Sequence, residues 1–200
     1  MTGLNHACRT ITLGLLVAAL AGCASAPKDQ FYTLVDTGAT PAPASGMYIE
    51  MRPPTVPDQV RRTQLVIGTG EGQVDLQEHH RWISKLDDQI GSALSLDVAA
   101  QLGAIDVYSN PAPSGAAVYR IGANVQRFES KLDDYALIDV VWSVRKVGDN
   151  TVQTCRSVLR ETVGAGYPGL VAGHRAALAK LSARIADGVR SQAAGQSPGC

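Results

Sequence analysis

"LLVAALAGCASAPKDQFYTL" (Leu15–Leu34) decides where the folded body of this chain begins. An apolar run stops at Gly22-Cys23, crosses a few small and polar residues, and restarts at Phe31-Tyr32-Thr33-Leu34. Upstream, Met1–Thr10 is polar, with one positive charge at Arg9 and no acid. Ile11–Leu20 is apolar and small throughout, but shorter than the roughly 20 residues that cross a bilayer. Its length suits the apolar region of a secretory signal peptide, about 7–15 residues. Residues 1–22 are therefore read as a processing signal and left out of the fold.

Leu20-Ala21-Gly22-Cys23 resembles the bacterial lipobox, in which small residues admit the backbone to the signal peptidase and the cysteine thiol takes a diacylglycerol. Cys23 is the expected lipidation site; an ordinary signal peptide with a chance cysteine is the alternative. Each buried CH₂ of an acyl chain is worth about 0.8 kcal/mol, and one chain alone anchors weakly, whereas three make a stable anchor. Ala24 rather than Asp follows the cysteine, which favours the outer membrane. Residues 23–30 are the lipidated cysteine and its tether, Ala24–Gln30, which spans at most about 25 Å, so the body is held near the membrane surface. No cofactor is expected beyond the covalent lipid.

The body, residues 31–190, has the length of one domain, with a flexible tail over 191–200. The full chain has zero formal charge and becomes about one unit negative without Arg9. There is no basic patch, and nucleic acid is not an expected partner. Cys8 leaves with the signal and Cys23 carries lipid, which leaves Cys155 on a strand and Cys200 at the end of "GQSPGC". In an oxidising compartment these two are candidates for a disulfide, with two free thiols as the alternative.

Along the body, Phe31–Val35 has strand composition, Asp36–Gly46 is a Pro/Ala/Gly linker, and Met47–Met51 alternates as a second strand stopped by Pro53-Pro54. Gln64–Thr69 and Gln73–Leu76 predict a hairpin around Gly70-Glu71-Gly72. That glycine cluster is not a phosphate loop, because a strand rather than a helix follows it. "EHHRW" (Glu78–Trp82) leads into a helix whose apolar stripe is Ile83, Leu86, Ile90, Leu94, Val98 and Leu102, with Gly103 as its stop. Ile105–Tyr108, Val118–Phe128, Tyr135–Val147 and Thr151–Val163 read as strands. A last helix from about Leu170 to Arg190 buries Val171, His174, Leu178, Leu181, Ile185 and Val189. The order predicts an α+β two-layer domain: a mainly antiparallel sheet with two helices packed on one face.

Catalytic chemistry is not advertised. There is no Gly-x-Ser-x-Gly elbow and no cysteine–histidine signature. His79 and His80 are adjacent and would point to opposite faces of a strand, which suits a shared metal poorly. His174 sits on an apolar stripe and reads as a core histidine. Asp87-Asp88 and Asp133-Asp134 are sequence neighbours that rarely face one another. Trp82 and Trp142 read as core more readily than as the lining of a ligand groove. No catalytic or metal residue is assigned, and the chain is read as a non-enzyme.

The lipobox, the short tether and Phe31-Tyr32-Thr33-Leu34 resemble the opening of the PqiC/YmbA lipoproteins, the ABC-type transport auxiliary lipoproteins. The likeness continues through "IEMRPPTVPDQVRRTQLVI", "HHRWISKLDDQI", "LIDVVWSVR" and "HRAALAKLSARIA", nearly the whole mature chain in order. The resemblance implies an outer-membrane lipoprotein subunit of an intermembrane lipid transport system. Its partner would be an MCE-domain (PqiB-like) protein that supplies the periplasmic tunnel, with a ring of copies of this chain as one arrangement. Phe31, Tyr32, Thr33 and Leu34 are the candidate partner or packing motif. Two other readings stand beside it: a stand-alone carrier of a hydrophobic ligand, and an assembly lipoprotein for an outer-membrane protein.

Overall fold

The computed structural model describes residues 27–36, 38, 42–196 and 199–200. The signal expected over 1–22 and the expected lipidation site Cys23 lie outside the described residues. The fold is α+β, with two helices and two mixed sheets. A three-stranded sheet has the order β1-β4-β3, from β1 (Gln30–Tyr32), β3 (Gln64–Gly70) and β4 (Gln73–Trp82). A five-stranded sheet has the order β5-β2-β6-β7-β8, from β2 (Tyr48–Met51), β5 (Ile105–Asp106), β6 (Val118–Lys131), β7 (Tyr135–Lys146) and β8 (Gln153–Thr162).

The antiparallel pairing expected from hairpins holds for β3–β4 and for β6–β7–β8. The pairings of β1 with β4, and of β2 with both β5 and β6, are parallel. Parallel neighbours need a long crossover between them. The chain supplies one each time: some forty residues separate β1 from β4, and β3, β4 and α1 lie between β2 and its partners. Strands drawn from distant parts of the chain cannot be paired by local hairpin logic, so the division into two sheets is not legible in the sequence.

Helix α1 (Leu86–Leu102) and helix α2 (Gly166–Ala193) cover one face of the larger sheet, α2 across β7 and β8 and α1 beside it over β2 and β5. That face carries Ile49 and Met51 of β2, Tyr119, Ile121, Ala123 and Val125 of β6, and Ala136, Ile138, Val140, Trp142 and Val144 of β7, all buried. A register shift between Val125 and Arg127 turns β6 by one residue. An extra residue of this kind reverses the alternation, and so Phe128 and Ser130, rather than their neighbours, continue the buried row.

The stripe expected for α1 is buried except at Ile83, which precedes the helix and is exposed. The helix starts at Leu86 because β4 runs on through His79, His80 and Arg81 to Trp82, beyond the expected stop at Leu76. The α2 stripe is buried throughout, and the helix extends past the expected ends to Gly166 and Ala193. Pro168 is tolerated in its first turn, where backbone N–H groups have no helical partner. Gly103 ends α1 in the left-handed conformation, φ 59°. The linker lies against this end: the Ala42 N–H donates to Ala100 O at 2.8 Å and the Ser45 N–H to Gly103 O at 2.9 Å. A side chain at position 103 would collide with the Pro43 carbonyl.

Candidate functional site: the clasp on the tether strand

From Phe31 to Leu34 the chain is held by β4 and by side chains of both helices. β1 adds to the edge of β4, with Gln30 opposite His80, Phe31 opposite Arg81 and Tyr32 opposite Trp82. Just upstream, His79 Nδ1 donates to Asp29 at 2.8 Å, and that hydrogen bond holds the Asp29 carboxyl below the ordinary carboxylate range. Tyr32 Oη and His80 Nδ1 share a hydrogen bond of 2.9 Å. The His80 ring stacks on Tyr167 with centroids 3.6 Å apart, and the Tyr167 hydroxyl donates to Gln77 Oε1 at 2.6 Å. Partial burial lowers the His80 pKa, which favours the neutral ring in this stack. The adjacent histidines thus take separate partners, as opposite faces of a strand require.

After Tyr32 the chain leaves the sheet, because side chains from both helices take its backbone groups. Arg175 of α2 donates from Nε and Nη2 to the Thr33 carbonyl at 2.9 and 2.7 Å. The Leu34 N–H donates to Gln89 Oε1 of α1 at 3.0 Å, while Gln89 Nε2 donates to Ser84 Oγ at 2.7 Å. Leu34 is fully buried in the core. The four candidate residues therefore divide. Tyr32 and Leu34 pack inward, Thr33 is held by its backbone, and Phe31 projects outward with 58% of its surface exposed. The strand expected over Phe31–Val35 is cut to Gln30–Tyr32 by these side-chain contacts. Gln89 and Arg175 carried no sequence signal, since a buried Gln and a helix-flank Arg are ordinary residue types.

The remaining candidates lie apart from the clasp. Cys155 and Cys200 are joined by a disulfide, with Cα atoms 5.7 Å apart. The described end of the tail is thereby fixed to β8, where Gln153 Nε2 also donates to the Gly199 carbonyl. Asp133 Oδ1 accepts the Gly166 N–H at 2.7 Å at the start of α2, and Asp134 pairs with Lys131 at 3.1 Å. Asp87 and Asp88 open α1 beside a cleft of about 410 Å³ that Met51, Pro54, Asp106 and Tyr108 also line. Trp82 and Trp142 are both core residues. Among the described residues no group of three or more His, Cys, Asp and Glu could hold a metal ion.

One serine–histidine contact has the form of a nucleophile and its base. Ser130 Oγ and His174 Nε2 are 2.8 Å apart. His174 is completely buried, its ring stacked on Phe128 at 4.0 Å, and Nδ1 has no partner to orient it. Burial pushes its pKa down to about 3, whereas an effective general base has a pKa near the working pH. This pair is core structure.

The family model for the ABC-type transport auxiliary lipoprotein component matches residues 32–186. The chain belongs to that family. The match begins at Tyr32, inside the clasp, and runs to Ala186 in α2, so it takes in all eight elements from β2 to β8 and α1, and α2 as far as Ala186. Crystal structures share this auxiliary lipoprotein's fold. A protein described only as uncharacterized superposes with a TM-score of 0.65 at 21% identity, over 82% of this chain and 99% of that one. A protein from Xanthomonas campestris superposes with a TM-score of 0.58 at 13% identity over the same shares. No curated protein matches the sequence. Among the described residues, no helix is long and apolar enough to cross a membrane.

Proposed function

We propose that this auxiliary lipoprotein is anchored in the outer membrane through Cys23 and docks an MCE-type intermembrane lipid transporter, without catalysing a reaction. The observation that carries the reading is the clasp. An auxiliary lipoprotein held by both helices and the small sheet at Thr33-Leu34, and tethered by about 25 Å of chain at most, works close to one membrane. A partner must then span the periplasm and come to it, which is the geometry of a fixed docking piece. The sequence resemblance names an MCE-domain protein as that partner, with several copies of this chain around the end of its tunnel.

Gentle detergent extraction of the tagged, lipidated protein from envelopes, with mass spectrometry of its companions, tests this reading. Recovery of an MCE-domain protein, weakened for Cys23→Ala, is the expected result. Recovery of an outer-membrane barrel alone would instead favour an assembly role. A carrier role is the second reading, and it rests on a groove of about 500 Å³ between the β3–β4 hairpin and the end of β6, lined in part by Val60, Val66, Val74 and Phe128. It predicts that lipid alone is retained on purification.

A further inference from the structure

The β3–β4 hairpin overhangs the body. Every residue from Thr69 to Leu76 is exposed, including Val74 at 62% and Leu76 at 41%. Hairpins usually turn such residues onto a core. Here the turn is made by Glu71 and Gly72, both at positive φ, 52° and 78°, the arrangement of a tight two-residue hairpin turn. The tip is therefore built to project, and it carries apolar side chains into solvent.

The tether strand gives the tip a direction. β1 runs parallel to β4, so the chain upstream of Gln30 leaves toward the hairpin turn, and Asp29 is already bound to His79. From Asp29 back to Cys23 the backbone reaches about 20 Å at most. From His79 to Gln73 along β4 is also about 20 Å at strand rise. A lipid on Cys23 is thus confined to a sphere whose edge touches the level of the hairpin tip. Phe31, exposed on the strand that receives the tether, lies on the same small sheet.

We propose that the β3–β4 hairpin lies against the bilayer that holds the anchor, with Val74, Leu76 and Phe31 in its interfacial zone. The ligand is the lipid surface itself, and the inference rests on Cys23 lipidation. Apolar side chains on an anchored protein add to the acyl chains as a second membrane contact. Glu71 and Asp75 keep the tip among the headgroups rather than in the hydrocarbon, because burying an unpaired carboxylate is costly. The contact orients the domain, so that the helix-covered sheet stands at a set angle to the membrane instead of swinging on its tether.

The test uses the full lipidated protein in phosphatidylethanolamine/phosphatidylglycerol vesicles with and without brominated acyl chains. V74W and L76W report separately, in case one of them folds poorly. Both native tryptophans are only 3% exposed, so their background changes little. V158W, on an exposed site of β8 (52%), is the control. The expected result is a blue shift and at least twofold quenching by brominated lipid at 74 and 76, with none at 158. Flotation of the same samples separates the two ideas. Protein that floats with the vesicles but is unquenched at 74 and 76 overturns the hairpin contact and leaves the anchor standing. Protein that does not float removes the anchor and the hairpin contact together. A blue shift at 74 in detergent-solubilised assemblies, with no quenching in vesicles, assigns the tip to a protein partner and also overturns the proposal.

Discussion

His174 shows most plainly what one residue does for this fold. It is completely buried, stacked on Phe128 and edge-on to Trp82, with a pKa pushed down to about 3 by loss of solvent. The folded pKa lies below the ordinary value near 6.5, so the fold holds the neutral ring. Its stabilisation is complete above pH 6.5 and is lost as the pH falls toward 3. Chemical denaturation at pH 7 and pH 5 should differ by about 2 kcal/mol on this account, and His174→Phe should flatten that difference whatever its own effect on stability. Asp139 has the same sign in a lower window. Its hydrogen bonds from Arg156, at 2.9 and 2.7 Å, hold its pKa down, so its share is lost only below the ordinary carboxylate range. Because the His80 pKa is also lowered, a smaller slope of the same sign remains in His174→Phe, and a slope between pH 7 and 5 that persists undiminished would place the titration elsewhere.

Two contacts decide how the chain's ends are held to its elements. At the N-terminal side, Arg175→Gln removes two charge-assisted hydrogen bonds from the Thr33 carbonyl, each kind worth about 1.5–3 kcal/mol. Hydrogen exchange should speed at least tenfold at Tyr32 and Leu34 while the amides of β7 stay protected; uniform acceleration would mean that the clasp is not a separate unit. At the C-terminal side, the disulfide links residues 45 apart, a loop whose closure constrains the unfolded chain by about 2–4 kcal/mol. Reduction, or Cys200→Ser, should lower unfolding stability by that amount and leave far-ultraviolet circular dichroism unchanged. The elements themselves were unequally legible. The stripes Leu86-Ile90-Leu94-Val98-Leu102 and Val171-His174-Leu178-Leu181-Ile185-Val189 could be read directly, since helical period depends only on neighbours three and four residues away. The stretch Gln77–Trp82 could not. Its register against β3 jumps between Gln64–Arg81 and Leu65–Gln77, so its alternation is broken, and its other partner, β1, comes from fifty residues upstream.

At the scale of the whole molecule, the two sheets divide the work. The five-stranded sheet and both helices make most of the core, to which the three-stranded sheet adds Leu65, Ile67 and Trp82, while that sheet also takes β1 on one edge and extends the hairpin beyond the body. The α+β class was legible because strand and helix periods are local. The site was only half legible: Phe31–Leu34 stood out as a motif, yet the residues that give it meaning, His80, Gln89, Tyr167 and Arg175, are gathered by folding alone. The most direct measurement of the central claim is made with purified components. The lipidated chain in detergent and the MCE-domain protein of the same cell would be mixed and followed by size-exclusion chromatography with light scattering. The account predicts a complex heavier than either component, with several copies of the lipoprotein for each tunnel. Separate elution of the two at micromolar concentration, with the lipoprotein folded and acylated, would contradict it.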